Sequence, residues 1–216
     1  MAADQRQRLL AALPRAVAEN SFAGTTVEQI VRLAQVRRNA FYEQFADKQE
    51  CFAAAYEIAQ ERLLGVLTFQ CYTRLGPAER ISAALRAGLD LLAAEPGLAR
   101  LIVLEAPTAG EAMSARHHAW LDRYSRMLRL AVVGSPDVAE PRPALEPAIA
   151  GAVVSRVKQL VLAGETRKLP GLRPELTQLV LSFFGSHEPL TVPVQGDGVE
   201  PAQPQSPERS SVLEPA

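Results

Sequence analysis

The chain has 216 residues, of which 48% are hydrophobic and 22% charged, and its formal net charge at pH 7 is −1. This length and hydrophobic content suffice for a sizeable buried core, which excludes a wholly disordered chain. The near-neutral charge excludes a globally basic nucleic-acid-binding protein, so any DNA-binding surface must be local.

The cysteines and the N-terminus indicate a cytoplasmic protein. Cys51 and Cys71 lie on one predicted helix at a distance of about 30 Å, so they cannot pair within the chain. The first ten residues, MAADQRQRLL, lack the uninterrupted apolar core of a signal peptide. No apolar run reaches the roughly 18 residues that span a membrane. We therefore expect no membrane partner and two reduced thiols.

The residue pattern predicts an all-α protein of about nine helices. Ala, Leu, Arg and Glu dominate, and sustained period-two alternation is missing. Pro14 should kink the first helix or shift its start, and Asn20 suits the left-handed position that closes it. The predicted helices cover about residues 5–19, 26–34, 37–44, 48–72, 78–94, 98–105, 109–133, 144–163 and 174–184.

Composition divides the chain into three parts. Residues 1–47 form a three-helix domain with a helix-turn-helix pattern, and residues 48–188 form a second helical domain. The Pro-rich stretch 135–143 is predicted as a loop. Residues 189–216 contain six prolines and few large apolar groups, which predicts a disordered tail.

Two capping boxes overlap at the start of the second helix. Thr25 is followed three residues later by Glu28, and Thr26 by Gln29. Either pair can exchange hydrogen bonds between side chains and backbone at a helix start. Asp47 offers a cap for the fourth helix in the same way.

The stretch VEQIVRLAQVRRNAFYEQF, residues 27–45, predicts a helix-turn-helix unit, whose second helix enters the DNA major groove. Phe41 and Phe45 lie one helical turn apart and would anchor that second helix on the core. This arrangement leaves on its outer side Arg37, Arg38, Asn39 and Tyr42.

Those four side chains have the chemistry of a DNA-binding surface. Arginine can bond guanine in bidentate fashion, asparagine can do the same with adenine, and a tyrosine hydroxyl can reach phosphate. Glu43 beside them would repel phosphates. The alternative is a short amphipathic helix of an ordinary bundle, with solvated polar groups.

Residues 8–56 resemble the DNA-binding end of the TetR family of transcriptional repressors. The matching pieces are TTVEQIV, A-x-V-x-R at 34–38, FYEQFADKQECF and AAYE. Further pieces, LARLIVLEAPTAGEAMSARHHAWL and AGETRKLPGLRPELTQLVLSFFG, are similar to the ligand-binding half of many members. The resemblance therefore extends over about residues 5–186.

The resemblance implies a homodimer, paired through its last two helices, that binds a palindromic double-stranded operator. It also implies a pocket for an unidentified small molecule among the middle helices, and no cofactor. The residues that it assigns to base contacts are Arg37, Arg38 and Asn39. Those that it assigns to phosphate contacts are Thr25, Thr26, Tyr42 and Lys48.

This chain departs from the family pattern at three positions. Gln35 stands where the family usually has glycine, and a non-glycine residue at positive φ costs on the order of 1 kcal/mol. Arg37 stands where a Ser or Thr cap is usual, and a lost cap costs ~1 kcal/mol. Ala40 replaces a threonine that commonly binds phosphate. These departures keep a rival open: a TetR-like ligand-binding or sequestering protein that no longer binds specific DNA.

Candidate ligand contacts are weaker in the sequence. Trp120, Tyr124 and Met127 form one stripe on the seventh helix, and Phe69 lies near the end of the fourth. Such a stripe is core by default, but the family's pocket lies among these helices.

The remaining polar residues indicate neither a metal site nor an enzyme. His117 and His118 are adjacent and point about 100° apart on a helix, so they cannot chelate one metal. Arg100, Glu105 and Arg123 are expected to be surface groups. No nucleophile, acid-base pair or metal motif occurs, so catalysis is not expected.

Overall fold

The computed structural model of the protein describes residues 2–72, 76–132 and 145–184. Within these ranges the chain forms nine α-helices and no strand, which confirms the all-α prediction. The helices are α1 Ala2–Gly24, α2 Val27–Ala34, α3 Arg38–Tyr42, α4 Lys48–Cys71, α5 Pro77–Ala94, α6 Pro96–Arg100, α7 Glu111–Val132, α8 Leu145–Leu162 and α9 Arg173–Phe184. The loop predicted at 135–143 and the tail predicted at 189–216 lie outside the described residues.

Helix α1 differs from its prediction at its C-terminal end. It was expected to close near Asn20, but it continues to Gly24 across a kink at Ser21, whose φ is 58° and ψ 169°. The Asn20 side chain instead donates to the carbonyl of Ala16 at 3.2 Å, inside the helix. Pro14 lies within α1, and the non-helical dihedral angles occur at Ser21 rather than there.

Helix α6 continues directly into the π-helical turn Leu101–Glu105 and the 3-10 turn Ala106–Thr108. A Cβ atom at Gly97 would lie 2.6 Å from the carbonyl oxygen of Pro14, so the glycine allows α6 to approach α1 closely. π-Helical turns occur frequently at functional sites. This one contacts the end of α1 through Glu105.

One hydrophobic core extends from α1 to α9, from Leu9 to Leu176. Phe41 and Phe45 are 0% and 1% exposed, which confirms that they anchor the short helix α3. Since the same core continues past residue 47, packing does not mark a boundary there, and the division at 47/48 stays a prediction.

Both cysteines are free and buried. Burial raises the pKa of Cys51 to about 12, so its thiol stays protonated. In the described part of the chain no helix is long and apolar enough to cross a membrane.

Candidate DNA-binding surface and ligand cavity

The start of α2 is capped by Thr26. Its hydroxyl accepts from the N–H of Gln29 at 3.3 Å, and the Gln29 side chain accepts from the N–H of Thr26 at 2.7 Å. Of the two capping boxes that the sequence allowed, the structure forms this one. Thr26 is exposed, and the N–H groups of the next residues point outward from the helix start, as an anion site requires.

Thr25 occupies a different environment from the one expected. Its side chain is 1% exposed. The hydroxyl donates to the carbonyl of Ser21 at 2.6 Å, and the backbone N–H donates to the same carbonyl at 3.1 Å. Thr25 thus stabilises the end of α1, and in this conformation it has no donor left for phosphate.

The turn between α2 and α3 has a left-handed residue at Gln35 and an uncapped helix start at Arg37, as expected from these two departures from the family pattern. Gln35 adopts a left-handed conformation, with φ 53° and ψ 44°. Arg8 donates to the carbonyl of Gln35 at 2.8 Å and so ties the turn to α1. Arg37 is the N-cap of α3, and its side chain makes no capping hydrogen bond.

Helix α3 presents four polar side chains to solvent. Arg37, Arg38 and Asn39 are exposed, and Tyr42 is 48% exposed. On the opposite side of the helix Ala40 and Phe41 are buried. We call Arg37, Arg38, Asn39 and Tyr42 the recognition face; the structure brings them together as the sequence pattern predicts.

One acidic side chain already engages the recognition face. The Arg38 guanidinium is bonded to the carboxylate of Glu28 on α2 and donates to the hydroxyl of Tyr42 at 3.3 Å. The bond to Tyr42 and the charge of Glu28 raise the pKa of Arg38, which stays cationic. The guanidinium of Arg38 is therefore already paired within the protomer.

Lys48 is placed as a cap rather than as a phosphate ligand. Its Nζ donates to the carbonyls of Phe22 and Thr25, each at 2.8 Å, and lies 3.5 Å from that of Ala23. It also lies 4.6 Å from the centre of the Phe22 ring. An ammonium has three N–H donors, and these carbonyls occupy them.

Glu105 was expected on the surface, but it is 8% exposed. One carboxylate oxygen accepts from the backbone N–H of Phe22 at 2.9 Å, and the other accepts from Arg100 at 2.8 Å. The Phe22 residue, next to the strained Ser21, is thus held at its N–H by Glu105 and at its carbonyl by Lys48. The sequence signal was an acidic residue inside the apolar run LIVLEA.

A cavity lies among α4, α5, α7 and α8, beside the π-helical turn. It encloses about 970 Å³ of space between atoms, part of it open to solvent, and about 120 Å³ that centres of water molecules can reach. Its wall is apolar apart from Gln60, His117 and Tyr124.

The structure places two of the four predicted ligand contacts on the cavity wall. Tyr124 and Met127 line it. Phe69 is 73% exposed and points away from it. Trp120 is buried outside the wall, where its Nε1–H donates to Glu57 at 3.1 Å. The stripe predicted on α7 is therefore divided between cavity and core.

The polar groups at the cavity form one hydrogen-bonded chain. Tyr124 donates to the side-chain oxygen of Gln60, and the Gln60 amide donates to the Tyr56 hydroxyl at 2.5 Å. The Tyr56 hydroxyl lies 3.0 Å from Nδ1 of His117. Burial raises the pKa of Tyr56 and Tyr124, so both hydroxyls stay neutral.

Comparison with known proteins supports the N-terminal assignment directly. Residues 9–55 match the family model described as bacterial regulatory proteins, tetR family. A comparison with curated proteins finds no significant match.

Solved structures share the fold over most of the chain. FadR from Bacillus subtilis, solved in complex with stearoyl-CoA, is 18% identical with a TM-score of 0.73, covering 84% of this chain and 99% of that one. The fatty acid degradation regulator FadR from Bacillus halodurans is 17% identical with a TM-score of 0.72, covering 82% and 94%. A TetR-like regulator from Rhodococcus sp. RHA1 is 19% identical with a TM-score of 0.66, covering 82% and 93%. Residues 9–55 therefore resemble the DNA-binding domain of the tetR family, and the chain as a whole shares the fold of these solved regulators.

Proposed function

We propose that this chain is a ligand-responsive transcriptional repressor that binds a palindromic operator as a homodimer and is released by a small molecule. The observation that carries the proposal is the recognition face, exposed on the second helix of a TetR-type helix-turn-helix. It would act in the cytoplasm, where its operator is accessible.

The proposed DNA contacts follow from the chemistry of each exposed group. Arg37, Arg38 and Asn39 contact base edges, and Tyr42 donates to a phosphate oxygen. The N-terminal N–H groups of α2, next to Thr26, bind a second phosphate. Thr25 and Lys48 are left out of the interface because intramolecular bonds occupy their donors.

The proposed dimer pairs α8 and α9 of two protomers. Leu162 on α8 is 69% exposed and Phe183 on α9 is 40% exposed, and both need a cover. The exposed side of α8 also carries Ala148, Gly151 and Ser155, which are small enough to let another helix approach.

The proposed route from ligand to DNA uses two elements that reach both sites. Helix α4 begins at Lys48, under the kink of α1, and lines the cavity from Gln60 to Cys71. The π-helical turn lines the cavity with Ile102 and Val103 and holds the kink through Glu105. A ligand that favours one position of these elements would change the spacing of the two recognition faces, about 34 Å apart on DNA.

The test measures fluorescence anisotropy with the DNA that lies upstream of the protein's own coding sequence. Arg38→Ala should weaken operator binding and relax preference at one base pair, at a cost of roughly 1–3 kcal/mol. Tyr42→Phe should weaken binding to all DNA sequences about equally. Arg167→Ala, an exposed arginine of the C-terminal part, serves as the matched control. If both recognition-face variants bind like the parent protein, α3 does not read the groove.

A second candidate function is a TetR-fold binding or sequestering protein that has lost specific DNA binding. The uncapped start of α3, the left-handed Gln35 and the pairing of Arg38 with Glu28 favour it. Random duplex DNA at low salt separates the two candidates, because a DNA-binding surface retains salt-dependent affinity there. A protein without any such affinity supports the second candidate.

A further inference from the structure

The wall of the cavity carries no charged residue. Among the lining residues only Gln60, His117 and Tyr124 are polar, and none is Asp, Glu, Lys or Arg. Burying an unpaired carboxylate or ammonium against such a wall is far more costly than burying a neutral polar group. The wall therefore selects an uncharged ligand.

The residues that line the cavity extend along two long helices. Its lining runs along α4 from Gln60 to Cys71 and along α7 from His117 to Ala131. At 1.5 Å per residue these stretches are about 16 and 21 Å long. An extended alkyl chain with C–C bonds of ~1.5 Å advances about 1.25 Å per carbon, so about 12 to 16 carbons match this length.

The hydrogen-bonded chain at the cavity has a defined direction. Because the Tyr56 hydroxyl accepts from Gln60, we assign its single proton to the hydrogen bond with Nδ1 of His117. Burial, together with the neighbouring His118 and Lys158, lowers the pKa of His117, and its imidazole is neutral at pH 7. With Nδ1 accepting, the proton of neutral His117 lies on Nε2.

That Nε2–H group is available to a ligand. Within the described ranges it has no hydrogen-bond partner, although His117 as a whole is 7% exposed. No side-chain polar atom that is sealed from solvent lacks a partner in these ranges, so Nε2 retains accessible surface. His117 is also part of the cavity wall.

We infer that the effector is an uncharged single-chain molecule of about 12 to 16 carbons with one accepting oxygen, as in an ester or ketone, and that this oxygen accepts from Nε2–H of His117. The inference rests on the proposed ligand-responsive function and names the ligand class of that same cavity. B. subtilis FadR, by comparison, was solved with stearoyl-CoA, whose coenzyme A phosphates are charged.

The test compares four probes on the full-length protein at pH 8: methyl tetradecanoate, pentadecane, tetradecanoate and tetradecanoyl-CoA, each by displacement of an apolar fluorescent dye. One neutral hydrogen bond should make the ester bind roughly 3- to 10-fold tighter than the alkane. The ester should bind at least about tenfold tighter than the acid anion or the thioester. In His117→Phe the ester-to-alkane ratio should fall to about one. In His118→Phe, which changes an exposed neighbour, the ratio should stay at its wild-type value.

Each ratio compares the affinities of ester and alkane for the same variant. A general loss of stability weakens the binding of both ligands alike, so the ratio still reports the hydrogen bond. If tetradecanoate or tetradecanoyl-CoA binds more tightly than the ester, the inference that the ligand is uncharged is wrong. A wild-type ratio in His117→Phe overturns the contact with His117. If the ester binds but does not alter operator affinity, the inference stands and the proposed ligand response fails. If no probe binds while operator DNA does, the inference fails and the DNA-binding proposal stands.

Discussion

At the scale of single residues, Gln35 sets the geometry between α2 and α3. Its left-handed conformation, with φ 53°, brings Cβ close to the following carbonyl. For a residue other than glycine this costs on the order of 1 kcal/mol. The bond from Arg8 to its carbonyl helps to hold the conformation.

Replacing Gln35 by glycine should therefore raise the free energy of unfolding by about 0.5–1 kcal/mol, because the relieved strain exceeds the added freedom of the unfolded chain. Urea denaturation measures the change. Glu43→Gly is the matched control: Glu43 follows α3 with φ −70°, so glycine there should lower stability by a similar amount. Equal losses in both variants would mean that Gln35 carries no strain.

His117 gives the protein a predictable response to acid. Burial and nearby cations hold the pKa of His117 below its ordinary value, so the unfolded chain binds this proton more readily than the folded protein. Stability from this group is complete above about pH 6.5 and is lost as pH falls toward the folded pKa. The loss is at most about 1.4 kcal/mol per pH unit.

We expect His117→Phe to flatten the decrease of unfolding free energy between about pH 6.5 and 5, measured by urea denaturation at each pH. The variant loses stability at every pH because Tyr56 loses its acceptor, so the readout is the slope. His118→Phe removes only the smaller contribution of a neighbouring side chain and leaves the burial of His117, so it should keep most of the wild-type slope. An unchanged slope in His117→Phe would assign the acid response to other groups.

At the scale of helices, local signals in the sequence predict where elements begin. Thr26 and Asp47 cap α2 and α4 at the predicted positions, and Pro77 opens α5. The end of α1 was missed because Phe22 is held by Glu105, 83 positions later in the chain. A hydrogen bond between residues so far apart in the sequence produces no periodic pattern from which it could be predicted.

The same limit applies to the candidate site. The recognition face follows from local spacing alone, since its members all lie on one short helix or at its N-cap. The capping role of Lys48 depends on how α4 docks against the end of α1, and the cavity wall depends on six elements meeting. Spacing on α7 therefore identified Tyr124 and Met127 but could not separate them from Trp120.

The start of α4 offers a test of whether Lys48 caps or binds DNA. Lys48→Met should lower the free energy of unfolding by about 1–3 kcal/mol, since carbonyls at the end of α1 lose a charged donor. It should leave the slope of log Kobs against log salt concentration for operator binding unchanged. Arg167→Met should change neither quantity. A slope reduced by about 0.9 per lost phosphate contact would return Lys48 to the DNA interface.

At the scale of the whole molecule, the proposed dimer determines how two recognition faces reach successive major grooves. A single helix-turn-helix covers only a half-site, and pairing two of them raises affinity through effective concentration. The proposed dimer surface lies on α8 and α9, where the substitution of one exposed residue can test it without disturbing the protomer.

Gly151 on the exposed side of α8 is suited to that test. No atom lies within 4 Å of a Cβ placed there, and the same is true of Gly65 on α4. Both are exposed positions inside helices, so either glycine can become arginine without a clash within the protomer. Each change should leave the helix intact or slightly stabilised.

Gly151→Arg should convert the dimer into a monomer of 23.4 kDa in sedimentation velocity experiments, because a charged side chain then lies where the partner helix packs. Operator affinity should fall steeply with it, while weak binding to a half-site persists. Gly65→Arg should remain dimeric and bind the operator like the parent protein. If Gly151→Arg stays dimeric, the last two helices do not form the interface, and the exposed Leu162 and Phe183 need another cover.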